Sequence, residues 1–147
     1  MKVYLAGPMR GLPNCNFPAF YAAEQRWREA GHTAFNPARL YDALGYSIDD
    51  KAQGPLRHIM TFNLTCLFYA DAIALLPGWS ASIGTTVELA TAHMLGLKVM
   101  DAITQQPMSS VERLPWDRLA TTLARMDELE QIVVDDARGT NEEGDTR

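Results

Sequence analysis

Asp71-Ala72-Ile73-Ala74-Leu75-Leu76-Pro77-Gly78 (residues 71–78) holds an unbroken apolar run between an acid and a Pro-Gly pair. A short run of this kind, with no polar alternation, reads as a strand buried on both faces, and Pro77-Gly78 closes it. Coverage on both faces calls for helices on either side of a parallel sheet, and the flanking sequence supplies them. Upstream, Pro55 stands at the favoured first position of a helix running to about Tyr69. Downstream, the stretch SIGTTVELA (82–90) starts a helix that ends near Gly96, and KVMDA (98–102) is the next strand.

The same alternation extends to both ends of the chain. KVYLA (2–6) is a first buried strand that stops at Gly7-Pro8. Beyond the loop GPMRGLPNCNFP, residues 18–30 repeat apolar positions at helical spacing (Phe20, Ala23, Trp27, Ala30), with Gly31 where a C-cap belongs. HTAFNPA gives a second strand ending at Asn36-Pro37, and a polar, irregular segment is expected from Ala38 to Gly54. Trp116, Leu119, Leu123 and Met126 line one face of a last helix, followed by QIVV (131–134) as a fifth strand. The expected fold is α/β: a Rossmann-like (flavodoxin-like) parallel sheet of about five strands with helices on both faces. Residues 1–134 form one domain in this reading, and the acidic, nearly apolar-free end from Asp135 to Arg147 is a disordered tail.

Composition narrows the function classes. At 147 residues, 47% apolar and 21% charged, the chain fits one soluble domain with a proper core. No stretch approaches the ~18 apolar residues of a membrane span, and the N-terminus lacks a signal-peptide h-region, so the expected location is the cytoplasm. The net charge of −5 argues against a nucleic-acid polymer as partner but leaves room for a small phosphate ester. Cys15 and Cys66 lack CxxC spacing, and His32, His58 and His93 form no helical ligand pair, so neither metal nor cofactor is implied.

Ligands of such folds sit beyond the carboxyl ends of the strands, and three unusual sequences fall there: AGPMRG, FNPA and LPGWSASIGTTVE. Gly7 and Gly11 flank a turn carrying Arg10, whose guanidinium suits a phosphate, although a strand-to-loop turn with a solvated arginine has the same sequence. In the third element, Thr85 and Glu88 spell a capping box, while Ser82, Gly84 and the helix N-terminus spell an anion site with Glu88 aimed into it. The helix field would keep Glu88 ionised, as a nucleophile needs. Cap and catalytic carboxylate remain alternatives on these residues alone. Phe17 and Trp79 are aromatic candidates for stacking on a base, and Asn36 is either a ligand contact or an Asn-Pro turn.

VYLAGPMRG, FNPA, ADAIALLPGW, S-x-G-x-x-x-E and A-x-x-LG-x-x-V occur in the order seen in the nucleoside 2-deoxyribosyltransferase superfamily, and over roughly residues 2–101 the chain resembles its small phage and prophage members. The resemblance implies that Glu88 is the nucleophile attacking the anomeric carbon and that Tyr4 orients it. Ser82 is similar to a serine of the branch that hydrolyses deoxynucleoside 5′-monophosphates, and Arg10 and Gly11 resemble that branch's phosphate loop, although Pro8 stands where the branch can have another serine. Where the family has an aspartate that handles the leaving base, this chain has Asn63 in NLTCLFYAD (63–71), with Asp71 left as a structural residue at a helix-to-strand junction. An amide can hydrogen-bond a base but cannot act as a general acid.

Three readings follow. The first is an N-glycosidase or deoxyribosyltransferase acting on a (deoxy)nucleoside 5′-monophosphate, with Glu88, Tyr4 and Asn63 at the reacting centre. Gly7, Arg10, Gly11, Phe17, Asn36, Trp79, Ser82 and Gly84 bind substrate in that reading. The second is a phosphoribohydrolase resembling the "lonely guy" group, whose PGG-x-GT-x-x-E motif LPGWSASIGTTVE echoes imperfectly. The third is a nucleotide-binding or sensing module in which Asn63 has removed turnover. The expected partner is a small nucleoside or nucleotide. The apolar stripe of the last helix and the family habit point to a homodimer or larger homo-oligomer, with Ser109 and Ser110 in a loop that reaches a neighbour's site in similar dimers.

Overall fold

A computed structural model describes residues 1–43 and 56–108 of the chain. They form β1 (Lys2–Ala6), α1 (Phe17–Glu29), β2 (Thr33–Phe35), α2 (Pro37–Ala43), α3 (Leu56–Phe68), β3 (Ala72–Leu75), α4 (Ile83–Met94) and β4 (Lys98–Asp101). A single 3₁₀ turn lies at Trp79–Ala81, and Pro13–Asn16 forms a turn in which Asn14, Cys15 and Asn16 take positive φ. Pro55, Ser109, Ser110, the last helix, the expected fifth strand at 131–134 and the tail from Asp135 lie outside the described residues.

The strands pair in parallel in the order β2-β1-β3-β4. Period-2 alternation divides the core between the two faces. Val3 and Leu5 of β1, with Ala72 and Ala74 of β3, pack on Phe20, Ala23 and Trp27 of α1. Tyr4, Ala6, Ile73 and Leu75 point the other way, to Leu67 of α3 and to Leu89 and Ala92 of α4. The reading of 71–78 as a strand covered on both sides holds. Trp27, fully buried, also donates its indole N–H to the Ala102 carbonyl at 3.1 Å, which ties α1 to the end of β4.

Two helix ends follow directly from the sequence. Gly31 (φ +82°) and Gly96 (φ +70°) occupy the left-handed position that glycine tolerates. In each, the glycine donates to the carbonyl three residues back and the next residue to the carbonyl five residues back: Gly31 to Arg28 and His32 to Trp27, Gly96 to His93 and Leu97 to Ala92. Asp71 is structural, as expected. Its carboxylate accepts the Lys2 N–H at 2.6 Å while its own N–H donates to the Lys2 carbonyl at 2.7 Å, pinning β1 to the start of β3.

One expectation is corrected here. Residues 37–43 are helical rather than irregular. Asn36 is the N-cap, its Oδ1 accepting the Ala38 N–H at 2.9 Å, and Pro37 takes the first helical position, where a missing N–H costs nothing. The Asn-Pro pair that ends β2 therefore starts α2.

The chain leaves β1 towards β2 on one side and leaves β3 towards β4 on the other. The order reverses between β1 and β3, and a crevice opens at such a switch point beyond the strand ends. The loops after β1 and β3 border it. Gly7 is fixed by packing at this place, because a Cβ there would stand 2.8 Å from the Leu76 Cβ.

Candidate active site

The start of α4 resolves one ambiguity of the sequence. Ser82, not Thr85, is the N-cap: its Oγ accepts the Thr85 N–H at 3.3 Å, and its carbonyl takes the Thr86 N–H and hydroxyl, each at 3.0 Å. Thr85 is thus the third residue of the helix, and Glu88 lies beyond the first turn, too far along to close it. The capping-box reading of Thr85 and Glu88 is wrong because Ser82-x-x-Thr85 wins the same helix start.

Freed from capping, the Glu88 side chain turns towards the sheet. It is 5% exposed, and Oε1 accepts two hydrogen bonds, from the Tyr4 hydroxyl at 2.7 Å and from Asn63 Nδ2 at 3.2 Å. Three separate elements supply these groups. Tyr4 projects from β1, Asn63 from α3 and Glu88 from α4, all on the same face of the sheet. Asn63 is therefore a buried residue facing the acid, 6% exposed. Burial pushes the Glu88 carboxyl from 4.5 up to about 7, although the bonds from Tyr4 and Asn63 pull it down. The expectation that the helix end keeps Glu88 ionised is corrected, since desolvation dominates one turn in from that end. Burial and the neighbouring Glu88 carboxylate together push the Tyr4 hydroxyl well above the ordinary phenol value.

Glu88 opens onto a cavity of about 80 Å³ bordered by Gly7, Arg10, Tyr41, Asn63, Gly84 and Thr85, among others. Arg10 is exposed at its edge and, among the described residues, has no carboxylate within ion-pair distance. Its nearest effect is on Tyr41, whose hydroxyl burial pushes up and the Arg10 guanidinium pulls down. Two oxygens of this lining, Asn63 Oδ1 and Thr85 Oγ1, are buried without a hydrogen-bond partner. Such groups are costly unless something polar meets them. A Cβ at Gly84 would meet nothing closer than 3.9 Å, so this glycine leaves room at the cavity rather than relieving a clash.

Tyr4, Asn63 and Pro37 also border a larger cavity of about 430 Å³, walled by Ala34, Phe35, Leu40 and Phe62. Pro37 and Asn63 are common to both cavities. Glu24, 2% exposed, also borders it. Its Oε2 accepts from Asn36 Nδ2 at 2.8 Å and Arg39 Nε at 3.0 Å; Arg28 Nη2 lies 2.6 Å from Oε1, an ion pair outside hydrogen-bond geometry.

The remaining sequence candidates divide. Gly7, Arg10 and Gly84 line the Glu88 cavity, and Gly11 (φ +77°) makes the exposed turn beside Arg10. Asn36 spends its side chain on the α2 cap and on Glu24, so its polar atoms are structural. Phe17 is corrected: its ring is buried against Tyr21 and Tyr41 in the core, not offered to a ligand. Trp79 is half-buried against the α4 side of the core. Sequence reasoning missed Tyr41, Met60 and the cavity role of Thr85. Tyr41 was legible in principle, because recognising the Asn36-Pro37 cap would have put a helix, and its buried face, where a loop was expected.

Comparisons with known proteins bear on the family and the fold. A model of the family described as a domain of unknown function, DUF4406, matches residues 1–101. No curated protein matches the chain in sequence. Among solved structures, the chain is similar to a 2-deoxyribosyltransferase of the psychrotolerant bacterium Bacillus psychrosaccharolyticus, described as a biocatalyst for nucleoside synthesis, with 26% identity and a TM-score of 0.52. The similarity covers 68% of this chain and 70% of that one. It bears out the α/β fold and the likeness to deoxyribosyltransferases.

Proposed function

The chain belongs to the DUF4406 family, and from that premise and the Glu88 site we propose an enzyme that breaks the N-glycosidic bond of a (deoxy)nucleoside 5′-monophosphate. The observation that carries the proposal is the buried Glu88 carboxylate with both of its donors on Oε1. Oε2, which receives neither bond, is the attacking oxygen. Attack on C1′ expels the base and leaves a glycosyl-enzyme; water resolves it in a hydrolase, a second base in a transferase, in the double displacement of retaining glycosidases. Tyr4 and Asn63 fix the orientation of the carboxylate through Oε1. Arg10 pairs with the 5′-phosphate at the cavity edge, assisted by the Ser82 hydroxyl and the amides at the α4 start. The similarity to a solved 2-deoxyribosyltransferase supports glycosyl transfer in general. The monophosphate rests on Arg10 and Ser82, and the assignment to the phage and prophage branch on the sequence motifs.

Free-base release from a panel of nucleosides and 5′-monophosphates, followed by chromatography with Glu88→Ala as control, tests the proposal. Release that disappears in the variant is expected. The absence of release from every substrate, with and without an acceptor base, would overturn it.

Asn63 favours one second reading, a nucleotide-binding module that has lost turnover. A monophosphate that raises the melting temperature yet is recovered intact after prolonged incubation would select that reading over the first.

A further inference from the structure

A neutral nucleobase leaves its sugar as an anion unless a proton reaches it, and a placed general acid is worth roughly 10²- to 10⁴-fold. Several ionisable groups surround Asn63. Arg10, Arg28 and Arg39 are permanent cations. Glu24 is held among Arg28, Arg39 and Asn36. The Tyr4 and Tyr41 hydroxyls and the Cys66 thiol are all pushed up by burial, so they hold their protons more tightly than usual. Glu88 is committed to the attack. Asn63, common to both cavities, carries an amide that has no proton to give. Among the described residues, no acid faces the leaving group.

The lining offers the opposite character. Beside the buried Glu88 carboxylate, Asn63 Oδ1 and Thr85 Oγ1 are buried without partners, at 6% and 1% residue exposure. Asn63 donates its Nδ2 to Glu88, which fixes the amide orientation and leaves Oδ1 as a pure acceptor. The carboxylate and the Asn63 Oδ1 acceptor, with the Thr85 hydroxyl able to turn its lone pairs to the same space, form a site for a ring that is electron-poor or carries N–H donors.

We propose that the substrate is a cationic N-glycoside, a nucleotide whose base bears a fixed positive charge, such as an N-alkylated purine or a pyridinium ring. This inference rests on the glycosidase reading of Glu88. The charge does the work that a general acid would do, which none of the described residues is placed to supply. As Glu88 Oε2 bonds to C1′, the C1′–N bond breaks, and its electron pair passes to the ring nitrogen and cancels the positive charge. The base departs neutral and no proton moves. Water then bonds to C1′, the ester to Glu88 breaks, the carboxylate is restored and one proton goes to solvent. The larger cavity, apolar along Ala34, Phe35, Leu40 and Phe62, receives the neutral base.

Guanosine 5′-monophosphate and its N7-methyl derivative, in ribo and deoxyribo forms, differ by one methyl group and one charge, and they are the test pair. Release is measured for each relative to its own spontaneous rate. The expected result is an enhancement at least about 100-fold greater for the cation, lost in Glu88→Ala. Asn63→Asp should raise release from the neutral substrate by roughly 10²-fold, and that gain should fade as pH rises past the introduced carboxyl's pKa. Release from the cation should change far less. A purely structural Asn63 would move both substrates together and give the variant no new pH limb, which would overturn the inference. Equal, Glu88-dependent enhancement of both substrates by the unmodified protein would also overturn it, while leaving the glycosidase reading standing. No enhancement of either would remove both. Should Asn63→Asp fail to fold, the comparison in the unmodified protein decides alone.

Discussion

Replacing Glu88 by glutamine exchanges a buried acid for a neutral group of nearly the same shape. Oε1 of the new amide can still accept from the Tyr4 hydroxyl and Asn63 Nδ2, now 2.7 and 3.2 Å from Glu88 Oε1. Asn63 Oδ1, on the same amide that bonds Glu88, is a buried acceptor without a partner. The difference between the proteins is therefore the charge. Burial raises the Glu88 carboxyl from 4.5 to about 7. Between those values the folded protein holds a proton that the unfolded chain has lost, so stability falls as pH rises through the interval. At about 1.36 kcal/mol per pH unit, the full penalty above pH ~7 is about 3 kcal/mol. Glu88→Gln escapes it. The variant should match the unmodified protein within about 1 kcal/mol near pH ~4 and exceed it by about 3 kcal/mol near pH ~8. For a chain of this size that is roughly 6 to 12 °C in melting temperature. Thermal and urea unfolding across this range measure the difference directly, and other titrating groups cancel between the two curves. A difference independent of pH would refute the reasoning. So would a more stable unmodified protein at the alkaline end, which would mean that the donors outweigh burial.

Tyr4→Phe removes the shorter of the two bonds to Glu88, and that bond lowers the Glu88 pKa; a bond to a charged group is worth about 1.5 to 3 kcal/mol. Activity should fall roughly 10- to 100-fold and its acidic limb should move to higher pH, as read from kcat/KM profiles. Gly7→Ala puts a Cβ 2.8 Å from the Leu76 Cβ, and overpacking of this kind should cost about 1 to 3 kcal/mol in urea unfolding. Asn36→Ala removes both the α2 cap and a donor to buried Glu24; a loss of about 2 kcal/mol or more is expected, and an unchanged unfolding midpoint would show that neither bond matters.

Much of the fold was legible because its signals are local. The run at 71–78, short and closed by Pro77-Gly78, reads as a covered strand, and Gly31 and Gly96 mark helix ends because few other residues accept a positive φ. The misses have local causes as well. Asn36-Pro37 ends one element and begins another, and reading only the first role hid α2. Ser82-x-x-Thr85 and Thr85-x-x-Glu88 are competing cap patterns one turn apart, and the sequence alone does not say which residue turns out of the helix. The inward face of Asn63 depends on how α3 rotates against α4, a matter of side-chain packing across the chain. The same holds for Phe17, whose aromatic character suits a ligand and a core equally until Tyr21 and Tyr41 are seen beside it.

Burial gives Glu88 two properties that pull against each other. A desolvated carboxylate is a stronger nucleophile once charged, yet the same desolvation leaves it only about half charged near pH ~7. Something must restore the charge when substrate arrives, and the sign of the change distinguishes what the substrate carries. A cationic ring beside Glu88 favours the carboxylate, so its pKa should be lower in the complex than in the free protein. A neutral ring that only expels water from the cavity of about 80 Å³ deepens the burial and should raise it. Because kcat/KM reports the free protein and kcat the complex, the acidic limb of kcat should lie below that of kcat/KM, which itself should fall near pH ~7. A kcat limb shifted upward instead would mean that charge on the substrate does not prepare Glu88, and the source of its ionisation would have to lie in the 5′-phosphate's arrangement with Arg10.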